Sequence, residues 1–169
     1  MDSGVQASSI VTASHNLGEQ ALNQFHAGCF EESLSLARQQ ISESRCSLPQ
    51  RAEMYHIEAA CLHQLLDLEQ SEKAIRNAIR LDPHSATYLN TYGVILRKRN
   101  RLKEAVRSYE KVIILQPDFA DVYYNCGNAL NELKRQDEAI TSFKRCLEIN
   151  PNHASAHHNV GNCLRDTKR

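Results

Sequence analysis

His153 and His157 stand four residues apart, with His158 and Cys163 close behind. Imidazoles at i and i+4 share one face of a helix, the spacing that two ligands of a divalent metal take. A tetrahedral site needs at least a third protein ligand, and none follows at useful spacing. His157 also falls where a helical repeat would place a packing residue. No metal or other cofactor is therefore expected. His56 and His63, seven residues apart, also share a face, but neither has a carboxylate placed to orient it. Cys126 and Cys146 sit among apolar helical neighbours and read as small core residues, not as nucleophiles. The carboxylate pairs Glu31-Glu32 and Asp137-Glu138 lie where helices begin, and the positive end of the helix dipole is sufficient reason for them. The sequence has no phosphate-binding loop, dinucleotide fingerprint or nucleophile elbow. The chain is not expected to be an enzyme.

Asparagine offers a different chemistry. Asn125 and Asn159 fall 34 residues apart, as do Asn128 and Asn162. Asparagine is a poor residue for helix interiors, yet these four sit in helical patterns. A carboxamide carries two donors and acceptor lone pairs. A row of them can hydrogen-bond the backbone of an extended peptide without reading its side chains.

The elements that must position these groups recur. Pro83, Pro117 and Pro151 are 34 residues apart and close similar phrases, AIRLDP, VIILQP and CLEINP. Gly93, Gly127 and Gly161 keep the same step. Between the markers runs a shared pattern. One copy reads Leu89, Tyr92-Gly93, Leu96, Ala105, Tyr109, Pro117; the next reads Tyr123, Cys126-Gly127, Leu130, Ala139, Phe143, Pro151. A third begins His157, Val160-Gly161, Leu164. Upstream, Tyr55, Ala59, Leu62, Ser71, Ile75 and Pro83 hold the frame, and a degenerate copy runs from about Ala13 to Cys46. About four residues are inserted around Ser47 to Arg51.

This pattern resembles the tetratricopeptide repeat. The resemblance covers nearly all of residues 14–167 and implies an all-α, right-handed α-solenoid of about four helical hairpins plus a final single helix. The expected repeats are about 14–47, 52–85, 86–119 and 120–153, with a partial copy at 154–169, and together they make one domain, 13–169. The expected helices are 14–26 with 30–44, 50–65 with 68–81, 84–99 with 102–115, 118–133 with 136–149, and 152–167. The small residue in each first helix (Ala59, Gly93, Gly127, Gly161) and the one early in each second helix (Ser71, Ala105, Ala139) let the two helices of a hairpin approach. One hairpin cannot bury its own apolar face, so neighbours must stack. Residues 1–12 are small and polar and are expected to be frayed or disordered.

The resemblance also implies which positions of each first helix line the concave face. In the third copy they are Thr87, Asn90, Thr91, Val94, Arg97 and Lys98. In the fourth they are Asp121, Tyr124, Asn125, Asn128, Asn131 and Glu132. In the fifth they are Ser155, His158, Asn159, Asn162, Arg165 and Asp166. The second copy offers Glu53, His56, Ile57, Ala60, His63 and Gln64. The phrases YYNCGNAL and HHNVGNCL look like repeats in the superhelical arm of O-linked N-acetylglucosamine transferases, where asparagine at the sixth position binds peptide backbone. Carry-over holds at Asn125 and Asn159 and fails at Thr91 and Ile57. A clamp for chaperone C-termini would resemble a set of lysines, arginines and asparagines on the first helices. The first helix instead presents His15, Gly18, Glu19 and Leu22, without the lysine.

Bulk composition excludes several classes. Of the 169 residues, 41% are apolar and 24% charged, an ordinary globular balance. Twenty basic and twenty acidic residues give zero net charge, so no basic surplus invites nucleic acid or an anionic membrane. No apolar run approaches the ~20 residues that span a bilayer, and the N-terminus does not read as a signal peptide. Six cysteines without a C-x-x-C pair suggest a reducing, cytoplasmic compartment. The expected function is a scaffold that holds a partner protein or peptide. The alternatives are the non-catalytic arm of a larger enzyme such as a glycosyltransferase, given that the fifth copy stops part-way, or self-association through an apolar edge at Val160 and Leu164.

Overall fold

A computed structural model describes residues 17–167. The expectations for residues 1–12 and for His15 lie outside the described residues. Nine helices and no strand occur among the described residues. The first, α1, covers 17–26 of them. It is followed by α2 (Phe30–Ser42), α3 (Leu48–Gln64), α4 (Leu68–Leu81), α5 (Ala86–Lys98), α6 (Leu102–Leu115), α7 (Ala120–Glu132), α8 (Gln136–Ile149) and α9 (Ala154–Thr167). The second helices α4, α6 and α8 match their expected bounds, and the other ends differ by two residues or fewer, except that the expected start of α1 at 14 lies outside the described residues. The chain divides into two compact units, one ending at Pro83 and the other beginning at His84.

Local signals explain the helix ends. Asp67 and Ser85 accept hydrogen bonds at 3.1 and 3.3 Å from the backbone N–H of Gln70 and Tyr88, capping α4 and α5. Ser47 and Gln50 form a capping box at the start of α3, with Pro49 in its first turn. The inserted residues before the second repeat extend this helix: α3 has 17 residues, where α5 and α7 have 13. Four residues make about one turn, so the insertion lengthens α3 by about one turn. The turns inside the hairpins share one conformation. Leu66, Asn100 and Lys134 have φ of 63°, 59° and 63°, and Gly28 has φ of 80°. The following N–H groups, of Asp67, Arg101 and Arg135, reach back at 2.9 Å to the carbonyls of Leu62, Leu96 and Leu130. This left-handed closure satisfies the last carbonyls of each first helix.

In the N-terminal unit, Ala21, Ala37, Met54, Ile57 and Cys61 form a buried cluster, flanked by Phe25, Phe30 and Leu34. The Ser33 hydroxyl donates to the Ala21 carbonyl at 2.7 Å, tying α2 to α1. Ser71 repeats the bond to Ala59 at 2.7 Å, tying α4 to α3. In the C-terminal unit, each helix from α5 to α9 packs on the next. Tyr109 and Phe143 are fully buried and lie against the glycines of the preceding helices. A Cβ added at Gly127 would stand 2.5 Å from the Phe143 ring, and one at Gly93 would collide with the Tyr109 ring. The expectation that small residues permit close approach therefore holds at Gly93 and Gly127. At Gly161 it does not. A Cβ there would meet nothing within 4 Å, because no second helix packs on that side of α9 among the described residues.

Candidate functional site

The first helices of the C-terminal unit, α5, α7 and α9, carry the eighteen concave-face positions expected in the third, fourth and fifth copies, and none of the eighteen is buried; of the six expected in the second copy, Ile57 is buried. Direct bonds join the three helices along this face. Asn125 Nδ2 donates to Asn90 Oδ1 at 3.1 Å, from α7 to α5. Asn159 Nδ2 donates to Asn128 Oδ1 at 2.8 Å, from α9 to α7. The Arg97 guanidinium pairs with Glu132 at 2.6 Å, again between α5 and α7. Residues that the repeat register assigns to one surface do lie side by side.

The bonding sets what each group has left to offer. A carboxamide that gives one N–H to a neighbour keeps its second N–H and its oxygen. Asn125 and Asn159 are in that state, half-buried and oriented by their bonds. Asn162 accepts from Arg165 at 2.7 Å. Among the described residues no side-chain partner is found for Asn131, Lys98 or His158, and the last two are exposed. Thr91 is half-buried. Tyr124 is partly a packing residue, with its ring 4.6 Å from that of His153 and 6.0 Å from that of Phe143. Asp121 lies 3.8 Å from His153 Nε2, and its side chain is otherwise exposed. Charges on the face balance: Arg97, Lys98 and Arg165 against Asp121, Glu132 and Asp166. Such a surface offers neutral hydrogen bonds and no strong field.

Behind the face, Tyr109 is completely buried. Burial pushes its phenol well above the usual tyrosine range, and the nearby Arg97 opposes that shift. The Tyr109 hydroxyl and Arg97 Nε are both enclosed without a hydrogen-bond partner. The thiols serve as core. Cys126, Cys146 and Cys163 are buried, and burial pushes Cys126 up to about 11.

The histidines have structural places. His153 Nδ1 accepts from the Ala156 N–H at 3.2 Å, at the start of α9. His157 is exposed, and so does not fill the packing position expected of it. Its Nε2 lies 2.8 Å from the Pro151 carbonyl, matching the Tyr123 hydroxyl, which donates to the Pro117 carbonyl at 3.0 Å. A polar ring one turn into the helix thus ties it to the preceding proline. No group of three or more metal-ligating side chains is found among the described residues.

One polar residue escaped the sequence reading. Gln40 is 2% exposed, and its Oε1 has no partner. Its signal was available, since the matching positions of the later second helices hold Ala78, Val112 and Cys146, all fully buried. On α9, Val160 is half-buried and Leu164 is 42% exposed. No described helix is long and apolar enough to cross a membrane.

Comparison with known proteins agrees with this architecture. A TPR-repeat family model matches residues 93–134, and two tetratricopeptide-repeat models match 62–113 and 120–153. No curated protein matches the sequence. Among solved structures, pilF of Pseudomonas aeruginosa is similar at 21% identity over 93% of this chain and 70% of its own, with a TM-score of 0.82. MamA from Desulfovibrio magneticus RS-1 is similar at 17% identity over 92% of this chain and 85% of its own, with a TM-score of 0.80. YrrB, described as a TPR protein with an unusual peptide-binding site, is similar at 17% identity over 90% and 76%, with a TM-score of 0.71. At these identities the likeness shows the fold. The three family matches together span residues 62–153, and over that span the chain is built of tetratricopeptide repeats.

Proposed function

We propose that this chain is a protein-interaction scaffold whose α5, α7 and α9 face takes an extended peptide of a partner protein. One observation carries the reading: Asn125 and Asn159 are each held by a carboxamide on the neighbouring first helix, at 3.1 and 2.8 Å. Oriented carboxamides lose less freedom on binding than free ones, and their remaining N–H and oxygen match a peptide backbone. Asn128 and Asn131 extend the row, and Lys98, His158 and Arg165 flank it. The peptide-binding site attributed to YrrB supports the same use of the fold. Six unpaired thiols suit a reducing compartment such as the cytoplasm.

Replacing Asn125, Asn128 and Asn159 together by alanine should leave the thermal midpoint nearly unchanged and reduce partner recovery. Quantitative affinity capture with mass spectrometry measures this. Equal recovery of the same partners by the variant would overturn the reading.

The likeness of YYNCGNAL and HHNVGNCL to O-linked N-acetylglucosamine transferase repeats supports a second setting, the arm of a larger enzyme. In that setting the same face would position a substrate protein and take no part in bond making.

A further inference from the structure

The N-terminal unit contains a cavity of about 420 Å³ between α1, α2 and α3. Its lining is unlike the carboxamide face. Glu19 and Glu53 contribute carboxylates from α1 and α3, and Gln40 contributes a carbonyl oxygen from α2. Leu22 and Met54 supply apolar walls. Neither carboxylate has an ion-pair partner among the described residues.

Gln40 is the decisive group. It is 2% exposed, and its Oε1 accepts no hydrogen bond. A buried acceptor left without a donor costs about 1–3 kcal/mol. That cost persists here although alanine, valine or cysteine fills the same place in the other second helices. The oxygen lies over Gly18, where an added Cβ would stand 2.7 Å from it. The missing side chain lets the oxygen sit against the α1 backbone at the cavity wall.

We propose that this cavity binds a lysine side chain of a partner peptide. An ammonium group has three N–H donors, and the cavity offers one buried carbonyl oxygen and two carboxylates. The aliphatic stem would lie against Leu22 and Met54, as lysine stems do on apolar surface. A carboxylate ligand would meet two like charges and no cationic side chain in the lining. The site lies wholly in the N-terminal unit, so it and the asparagine face stand or fall separately.

The test uses the full chain labelled with nitrogen-15 and the probe Nα-acetyl-lysine N-methylamide. The expected result is saturable shifts of the Gln40 side-chain amide and of the Glu19, Leu22 and Glu53 backbone amides. The norleucine and glutamate analogues should bind at least about tenfold more weakly. Glu19→Gln combined with Glu53→Gln should weaken the lysine probe by about tenfold while the spectrum stays folded. Gln40→Met should abolish binding and raise the thermal midpoint, because a buried unpaired acceptor is removed. A lone packing role for Gln40 would not join those two effects. The proposal is overturned by an unsaturable response, by norleucine binding as tightly as lysine, or by an arginine analogue binding more tightly than lysine.

Discussion

The two units bring their paired helices together by different means. In the N-terminal unit the first helix carries alanine, Ala21 or Ala59, and the second carries serine, whose hydroxyl bonds the alanine carbonyl at 2.7 Å. The position four residues after each serine is modest in size, Ala37 or Ile75. In the C-terminal unit the first helix carries Gly93 or Gly127, the second carries Ala105 or Ala139, and the position four residues on is a buried aromatic, Tyr109 or Phe143. Removing one methyl group opens room for a ring edge, and restoring it requires a smaller partner. The same hairpin spacing is thus met either by a hydrogen bond beside aliphatic packing or by a ring laid over bare backbone. Glycine and aromatic are one choice made at two positions.

The largest expected effect is on the glycine side. Gly127→Ala places a methyl group 2.5 Å from the Phe143 ring, and a packed ring cannot retreat cheaply. Urea unfolding should show a loss of about 2–3 kcal/mol. Adding Phe143→Ile imports the Ala59/Ile75 arrangement and should recover most of that loss. Two additive losses would break the coupling. Next, Ser71→Ala removes one buried hydroxyl bond and should cost about 1 kcal/mol in the same measurement. Gly161 has open space where Gly127 has a ring. Gly161→Ala should therefore stabilise by up to about 1 kcal/mol, the helix propensity difference alone. A loss there would mean that the glycine register answers to something besides the packed ring.

A further effect is a pH dependence. Burial pushes the Cys126 thiol from 9.0 up to about 11. The folded chain keeps a proton that the unfolded chain releases, so this contribution is intact below about pH 9 and falls as pH rises toward 11. Thermal melts across that window should lose stability less steeply in Cys126→Ala than in the native chain.

Much of this was legible in the sequence because the signals repeat. Prolines and glycines on one step fixed the register, and the register placed Asn90, Arg97, Asn125 and Asn159 on a shared face. Other features were hidden for physical reasons. The left-handed turns fall on Leu66, Asn100 and Lys134, and only the Gly28 and Asn100 copies advertise such a backbone by residue type. The expected start of α3 at residue 50 missed its first two residues, although Ser47, Pro49 and Gln50 form its capping signal. Pairing between asparagines on different helices depends on rotamers, which spacing does not specify. Gln40 reads as surface within its own amphipathic stretch, and only its alignment with Ala78, Val112 and Cys146 marks the place as core.

The central claim is that oriented carboxamides on α5, α7 and α9 hold a partner's backbone. The side-chain amide resonances of Asn90, Asn125, Asn128 and Asn159, followed while a captured partner peptide is added, test it most directly. The account predicts that these signals shift together and saturate with the peptide. A peptide that binds the chain and leaves all four unmoved would contradict it.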